Sequence, residues 1–492
     1  MKNCLLLTFL IWPIFVMWPT GGLADELPDM GDASQGALSP QQERQIGEQS
    51  MLQIRADNSY LDDTEVYAYL NQLGYQLVAN SNDPAQEFEF FALNDNTINA
   101  FALPGGFIGV NTGLILTAES ESELASVLSH EIAHVTQHHL ARMVAGQKFD
   151  SVGAMAAIAV AILAARSNPD AAQVALIGAQ AGSIQRQLNF TRTHELEADR
   201  IGLTTLQKAN FDSRAMPLFF ERLQKSTRLL DNSMPSYLRT HPITSERIAD
   251  IASRVQQTPY RLVADNLNFQ LVRAKLRATL SDSQEAVAYF TAALGTQKHG
   301  NQTAQRYGLA LALLKSGQTD RAAQEFLPLN EQVSQNPMIA TLAGQIKRAQ
   351  INRAELIKQS GGKDKNLFIF YLNATQNFPQ HRALSYDYAE LLLEDKRFED
   401  TLKLLNGQVA DHPNDPRLYE LQARAYAALG KLQEEHHALA YAYALHGNLL
   451  AAIEQLELAK LAGKDYYQLS IIESELKQFK EIVAAQAKNN PI

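Results

Sequence analysis

The segment Val127–His139, VLSHEIAHVTQHH, decides the fold of the first half of the chain. It contains four histidines, and with histidine counted as neutral Glu131 is the only charge between Leu124 and Leu140. Apolar residues recur in it at helical spacing, and acids precede it, as is typical of a helix N-terminus. We therefore predict a helix that is buried on most sides. A carboxylate inside such a helix is costly unless a partner compensates for its charge.

The pair His130 and His134 provides that compensation. Residues four apart project from the same side of a helix, so both imidazoles can bind one zinc ion. Glu131 follows the first ligand and can take a proton from a water that the metal activates, which is the HExxH pattern of a metal-dependent peptidase. His138 and His139 are expected in the next turn or at the surface. A metal-free polar patch is the alternative, but it does not explain why the only charge lies between the two histidines.

A third ligand is expected because catalytic zinc usually has three protein ligands and one open position. The segment Thr193–Leu203, THELEADRIGL, offers Glu195 and Asp199, which are four apart and share a helix face. We assign Glu195 to zinc and expect Asp199 to hold a zinc-binding histidine through its distal N–H. Glu197 points about half a turn away and His194 is poorly placed, so neither is expected to bind the metal. The alternative for Glu195 is a solvated acid on a helix surface.

His241 is a further candidate, in the segment Thr240–Ile248, THPITSERI. Pro242 removes a backbone donor and biases His241 away from helical geometry, so we place this histidine on a loop before a helix. Pointed at the zinc, it would occupy the fourth position and leave the enzyme latent. Pointed at the substrate, it would donate to the developing oxyanion. The third alternative is that it only caps the following helix.

The N-terminus has the pattern of an export signal. Lys2 provides a positive start, and the apolar run Leu5–Trp18 is too short for a comfortable membrane span. Gly22 and Ala24 are small residues at the positions that a signal peptidase requires. We therefore predict a signal peptide over residues 1–24 that is cleaved after Ala24, which places the protein in the periplasm. An uncleaved anchor is the alternative.

Length and composition limit the classes of function. The chain has 492 residues, of which 46% are hydrophobic, so it can form two or three domains with their own cores. Its formal net charge of −10 argues against nucleic acid as a partner, because phosphate binding needs a basic surface. The single cysteine is Cys4, so the exported chain would contain no disulfide.

The first half divides into a tail and a protease domain. Residues 25–38 lack apolar periodicity and are predicted to be a flexible tail, and the protease domain is predicted over 39–256. Strands over Phe88–Leu93 and within Ala100–Val110 form a small sheet before the zinc helix, and its edge can hold an extended substrate by strand addition. Two apolar runs within 154–182 are too short to span a bilayer, so we favour a buried helical hairpin. Peripheral contact with a membrane or a hydrophobic client is the alternative.

The second half is repetitive. Small and large apolar residues recur with a period of about 34 residues, as in tetratricopeptide repeats, in units that start near Thr303, Pro337 and Arg382. A repeat domain is predicted over 267–486, and stacked units would give a concave groove. The predicted fold class is therefore mostly α: an α+β zincin-type metalloprotease domain with a small sheet, followed by an α-helical tetratricopeptide-repeat solenoid.

The motifs HEIAH and ELEAD, with NAFALPGG upstream, resemble the zinc metalloprotease family of HtpX and the CAAX prenyl endopeptidases. The resemblance covers roughly Leu38–Val255. It implies one zinc ion (Zn2+) per chain, with His130, His134 and Glu195 as ligands and Glu131 as the base. This chain lacks the transmembrane helices of the membrane-embedded members, which puts a membrane-embedded substrate in doubt.

The order of signal peptide, protease and repeats is similar to the periplasmic β-barrel assembly-enhancing proteases of Gram-negative bacteria. This resemblance implies a zinc metalloendopeptidase with a chaperone-like role in outer-membrane protein quality control. It implies two kinds of partner: unfolded or misassembled outer-membrane β-barrel proteins, and the β-barrel assembly machinery. The alternative is a non-enzymatic assembly chaperone whose zinc site is latent or structural. An intact Glu131 favours the enzyme, because a structural site needs no base.

Overall fold

The computed structural model describes residues 38–146, 181–229, 237–238, 241–259, 261, 263–296, 301–358, 365–463 and 465–489. The predicted signal peptide, nearly all of the predicted tail and all but the last two residues of the apolar segment 154–182 lie outside the described residues. Within the described ranges, no helix combines the length and the apolar character that crossing a bilayer requires.

The predicted fold class is confirmed, since a small α+β unit is followed by a long array of helices. The helices are α1 Pro40–Ala56, α2 Thr64–Val78, α3 Thr112–Thr117, α4 Glu121–Thr136, α5 His139–Gly146, α6 Ala181–Lys208, α7 Ala215–Leu229, α8 Ser245–Gln256, α9 Leu267–Leu280, α10 Ser283–Thr296, α11 Gln302–Lys315, α12 Thr319–Phe326, α13 Pro337–Lys358, α14 Lys365–Asn377, α15 Arg382–Glu394, α16 Phe398–Asp411, α17 Pro416–Ala428, α18 Leu432–Leu445, α19 Leu449–Ala462 and α20 Tyr466–Asn489. The strands are β1 Glu89–Leu93, β2 Ala100–Leu103 and β3 Phe107–Asn111.

The sheet is the platform on which the HExxH helix lies. Its strand order is β1-β3-β2, with β1 parallel and β2 antiparallel to β3. The tight turn between β2 and β3 needs positive φ at Gly105 and Gly106, which glycine adopts without a steric penalty. Ile108 and Val110 of β3 are fully buried in the same core as Val127 of α4. This packing gives α4 one fixed side toward the sheet.

The HExxH helix begins and ends where its sequence requires. Ser120 is the N-cap, and its hydroxyl accepts a hydrogen bond from the backbone N–H of Glu123, as capping serines do. The helix ends at Thr136, and His138 then takes a positive φ of 50°. That turn separates α4 from α5 and brings Nδ1 of His139, the first residue of α5, to 2.9 Å from Nδ1 of His134.

The repeats form the predicted helical pairs. The units expected near Thr303, Pro337 and Arg382 begin at the first residues of α11, α13 and α15, to within one position. Gly317 and Gly430 lie at the turns inside two units with φ of 74° and 69°. Both turns need the left-handed backbone that glycine adopts most readily, which explains the glycine at that point of the repeat.

The protease region and the repeats share one hydrophobic core. Val66 and Tyr69 of α2 belong to the same buried cluster as Phe269 and Val272 of α9. A chain that ended near Val255 would expose this face of α2, so such a truncation would not isolate an undisturbed protease. The domain boundary between residues 256 and 267 therefore stays a prediction, because the two predicted domains pack against each other.

Glu65 is the polar centre of this junction. Its carboxylate lies 2.7 Å from Nζ of Lys275 in α9 and 2.9 Å from Nε2 of His381, just before α15. Burial by itself raises the pKa of Glu65, but Lys275 and His381 outweigh it and lower the pKa to about 2 from an ordinary value of 4.5. Asp63 also contacts Lys275, at 2.7 Å. One acid of α2 thus ties together two separate parts of the repeat array.

We expect Glu65→Gln to lower the free energy of unfolding by roughly 2–4 kcal/mol at pH 7, because it leaves Lys275 buried with one partner fewer. The folded-state pKa is depressed, so the stabilisation is complete above about pH 4.5 and is lost as the pH falls toward about 2. Urea unfolding at pH 7, 4 and 3 measures both effects. The exposed Glu48, paired with Arg44, provides the control Glu48→Gln, for which we expect about 0.5 kcal/mol or less. A variant at Glu65 that kept the parental acid sensitivity would contradict this assignment.

Candidate metal centre

Four side chains converge beside the sheet: His130 and His134 of α4, Glu195 of α6, and His241 of the segment before α8. Their ligand atoms all lie within 4.8 Å of one another. This is the one group of metal-ligand type found among the described residues. Residues more than a hundred positions apart are therefore brought to a single point.

The spacing of the donor atoms fits a tetrahedral ion. Nε2 of His130 and Nε2 of His134 are 3.0 Å apart, and each lies 3.5 Å from an oxygen of Glu195. Nδ1 of His241 is 3.0 Å from Glu195 Oε1 and 3.4 Å from His130 Nε2. Ligands at 2.0–2.1 Å from a tetrahedral zinc ion are about 3.3 Å apart, so this donor set matches the size of that ion.

Close packing of α4 against α6 sets this geometry. A Cβ atom added to Gly202 of α6 would lie 3.0 Å from the backbone nitrogen of His130 and 3.0 Å from the carbonyl oxygen of Ser129. Glycine therefore lets the two helix backbones approach each other at the level of the first histidine. Glu195 lies two turns earlier on α6 and reaches the two imidazoles from that position.

Asp199 lies where the sequence places it, behind the first histidine. Its Oδ1 is 3.0 Å from Nδ1 of His130, on the opposite side of the ring from the converging Nε2. Arg247 of α8 donates hydrogen bonds of 2.7 and 2.8 Å to the two oxygens of Asp199. All three side chains are buried. Asp199 thus holds the ring of His130 and is itself held by Arg247.

Arg247 is the residue of the site that the sequence reasoning missed. Its Nη1 lies 2.8 Å from Glu195 Oε2 and donates a 2.9 Å hydrogen bond to the carbonyl oxygen of Pro242. The signal was present, because two acids predicted to be buried on one helix face need a cation, and Arg247 is the only basic residue of the segment with His241. This guanidinium connects the loop of His241 to α6.

The charges favour a bound cation. Burial would raise the pKa of Glu195, but His241, His130 and His134 hold it well below its usual range. Burial would lower the pKa of His130, but Asp199 and Glu195 raise it to about 9. Burial lowers the pKa of His134. The carboxylate is therefore ionised and faces imidazole nitrogens at which a metal ion and a proton would compete.

Glu131 lies next to this cluster without joining it. Its carboxylate is 1% exposed, and Oε1 accepts no hydrogen bond from the described residues. The nearest histidine nitrogen is Nε2 of His241, at 3.5 Å. A buried carboxylate oxygen without a donor is costly, and a ligand or a reacting group beside Oε1 would compensate for that cost.

The remaining acids and histidines have separate positions. His139 lies in the next turn, as expected, but it is buried rather than at the surface, and its Nδ1 is 2.9 Å from Nδ1 of His134. Glu197 stands outside the donor cluster and contacts His139 and Arg142. His194 stacks on His139 with ring centroids 4.2 Å apart.

We expect Gly202→Ala to weaken metal binding and to lower stability by about 1–3 kcal/mol, because the added methyl group presses on the backbone of α4. Gly295, in α10, is the matched control, since nothing lies within 4 Å of its added Cβ. Gly295→Ala should raise stability by about 0.5–1 kcal/mol and leave metal binding unchanged. Metal titration and thermal unfolding of both variants measure this. Equal metal affinity in both would show that the helix spacing does not set the site.

Comparisons with known proteins agree with this arrangement. The profile described as Peptidase family M48 matches residues 65–255, and a tetratricopeptide repeat profile matches residues 371–425. The first match contains the whole donor cluster, with Glu131, Asp199 and Arg247. The second lies within α14 to α17 of the repeat array.

Several relatives match nearly the full chain. The putative beta-barrel assembly-enhancing protease of Vibrio cholerae is 36% identical over 450 residues, which cover 90% of this chain and 90% of that protein. The beta-barrel assembly-enhancing protease of Escherichia coli strain K12 is 33% identical over 443 residues, 89% of this chain and 87% of that protein. The mitochondrial metalloendopeptidase OMA1 of Arabidopsis thaliana is 29% identical over 233 residues, 47% of this chain and 45% of that protein.

Proposed function

The chain belongs to the family of the beta-barrel assembly-enhancing proteases and is a metalloendopeptidase, and from this premise we propose that it is a zinc enzyme of the periplasm. We propose that it assists the assembly of outer-membrane β-barrel proteins and degrades those that misassemble. The observation that carries the proposal is the buried carboxylate of Glu131 beside a donor cluster of tetrahedral size. The predicted signal peptide and the names of the relatives support the location and the class of client.

The proposed roles follow from the contacts. His130, His134 and Glu195 hold zinc, which when bound supplies a Lewis acid for the scissile carbonyl and for water. Glu131 takes the proton of the attacking water and passes it to the leaving amine. Asp199 is a positioning residue for His130, and Arg247 contacts both Asp199 and Glu195 and compensates part of their charge. A purely structural metal site would not account for an unsatisfied carboxylate at Glu131.

His241 is proposed as a gate. Its ring belongs to the donor cluster and lies between Glu195 and Glu131, the space that a substrate carbonyl needs. The ring lies tilted against buried Tyr237, with ring centroids 4.9 Å apart, and the backbone N–H of His241 donates to the Tyr237 carbonyl oxygen at 2.7 Å. The capping alternative is wrong, because Thr244 is the N-cap of α8. With His241 in place, the water nucleophile has no access, and the enzyme is latent.

The repeats are proposed to bring β-barrel clients and the assembly machinery to the protease. A cavity of about 410 Å3 opens between the protease and the repeats, with polar walls that include Arg55, Asp62 and Arg417. Its polarity suits an extended peptide backbone. Tyr388 and Tyr426 pack in repeat cores and are therefore unsuitable as probes of client binding.

We expect Glu131→Gln to retain zinc, because Glu131 is not a ligand, and to lower the rate of casein cleavage by about 100- to 10,000-fold. His134→Ala should lose both zinc and cleavage. Metal analysis and proteolysis of the same preparations measure this. In cells, Glu131→Gln should accumulate misassembled β-barrel proteins in the periplasmic fraction. Cleavage at the parental rate by Glu131→Gln would remove the base from the mechanism and with it the proposed enzyme site.

We expect His241→Ala to raise basal proteolysis, because it removes a side chain from the space of the substrate. The increase should be about tenfold if the closed position is about 90% populated. Initial rates of casein cleavage at equal zinc content measure the effect, and Thr244→Ala, which removes only the helix cap, is the control. A fall in rate with unchanged zinc would identify His241 as an oxyanion donor instead of a gate.

A further inference from the structure

The two histidines of α4 are held from behind in different ways. Asp199 reaches the distal Nδ1 of His130 directly, at 3.0 Å. The distal Nδ1 of His134 faces another ring instead, with Nδ1 of His139 at 2.9 Å. The other nitrogen of His139, Nε2, is 3.2 Å from Oε2 of Glu197. A chain of three side chains therefore runs away from the donor cluster behind His134.

The surroundings fix this chain in place. His139 is buried, and the turn at His138 aims it back at α4. The ring of His194 lies flat on it, with an interplanar angle of 2°. Arg142, one turn further along α5, donates a 2.9 Å hydrogen bond to the same oxygen of Glu197 that faces His139. The positions of the His139 ring and of the Glu197 carboxylate are thus fixed by their neighbours.

Proton positions along the chain follow from elementary hydrogen bonding. A neutral imidazole has one donor and one acceptor nitrogen, and a carboxylate can only accept. If Nε2 of His134 binds a metal, its proton must be on Nδ1, which then donates to Nδ1 of His139. His139 must accept there, so its own proton is on Nε2 and is donated to Glu197. A single arrangement satisfies all three groups, and it leaves the lone pair of His134 Nε2 free for the metal.

We propose that His139 and Glu197 are positioning residues that fix the tautomer and orientation of the metal ligand His134. The proposal rests on the proposed function of His134. The two imidazoles are then supported in the same way, by an acid that an arginine contacts. Asp199, held by Arg247, contacts His130 directly. Glu197, held by Arg142, acts on His134 through His139. Outer contacts of this kind raise the basicity of the ligand and fix the direction of its lone pair.

The proposal also explains the alternation of acids in ELEAD. Glu195 points to the donor cluster, Asp199 to His130, and Glu197 to His139 and Arg142 of α5. Residues two apart on a helix face nearly opposite directions, so Glu197 can reach the back of His134 only through an intermediate group. His139 is that group. The turn after α4 is therefore part of the site.

The test compares zinc affinity across variants of the full chain by competition with a chelating indicator. His139→Phe keeps the ring that stacks on His194 but removes the acceptor, and we expect it to weaken zinc binding about 10- to 100-fold. His139→Gln retains an acceptor and a donor and should recover much of the loss. Glu197→Gln should weaken zinc by about tenfold. His194→Phe keeps an aromatic ring against His139 and leaves the groups of the His134–His139–Glu197 relay unchanged, so it is the matched control and should stay within about twofold of the parent.

Two further measurements separate the positioning role from a structural one. With cobalt in place of zinc, the visible absorption bands should shift in His139→Phe and Glu197→Gln but not in His194→Phe. In the metal-free protein, unfolding of Glu197→Gln should match that of Arg142→Gln, since both break the same ion pair, whereas only Glu197→Gln should markedly weaken zinc binding. A folded His139→Phe or Glu197→Gln with parental zinc affinity and an unchanged cobalt spectrum would overturn the proposal. Failure of the metal site itself would instead appear as parental zinc binding by His134→Ala.

Discussion

Burial of charge at the meeting point of α4, α6 and α8 is the constraint on which the rest of the structure depends. Glu131, Glu195, Asp199 and Arg247 are each 3% exposed or less. Removing an ion from water costs several kcal/mol, and the cost is recovered only when the partners have good geometry. Arg247 meets that condition with three contacts to two acids. These contacts of one guanidinium with two acids of α6 fix how α8 packs against α6.

Arg247 contacts two of these three acids, Asp199 and Glu195, and Glu131 lies outside those contacts. Arg247 compensates Asp199 and part of Glu195, and the histidines face the rest of Glu195, but Oε1 of Glu131 accepts no hydrogen bond from the described residues. A folded protein tolerates such a group where a ligand or a reaction compensates for it. The same local imbalance suits both cation binding and the base role proposed for Glu131, which lies on the same turn of α4 as His130 and His134.

The repeats pack against the protease region and share its hydrophobic core. Their first helix completes the core of α2, and Glu65 connects that helix to α15, far along the array. Because α2 also packs against β1 and α4, the repeats are joined through packed elements to the platform beneath the site.

The local chemistry of this protein was determined by its sequence alone. Helical periodicity places His130 and His134 on one face, Glu131 beside them, and Glu195 with Asp199 on another helix, because these relations depend only on spacing within a turn or two. Repeat starts were predictable for the same reason. Partners distant along the chain were decided by the tertiary structure: Arg247 is 48 positions from Asp199, and His139 is 58 positions from Glu197. Such pairs depend on which helix faces pack together. The close approach of α6 to α4 at Gly202 and the left-handed turn at His138 contribute to that packing, and helical periodicity encodes neither of them.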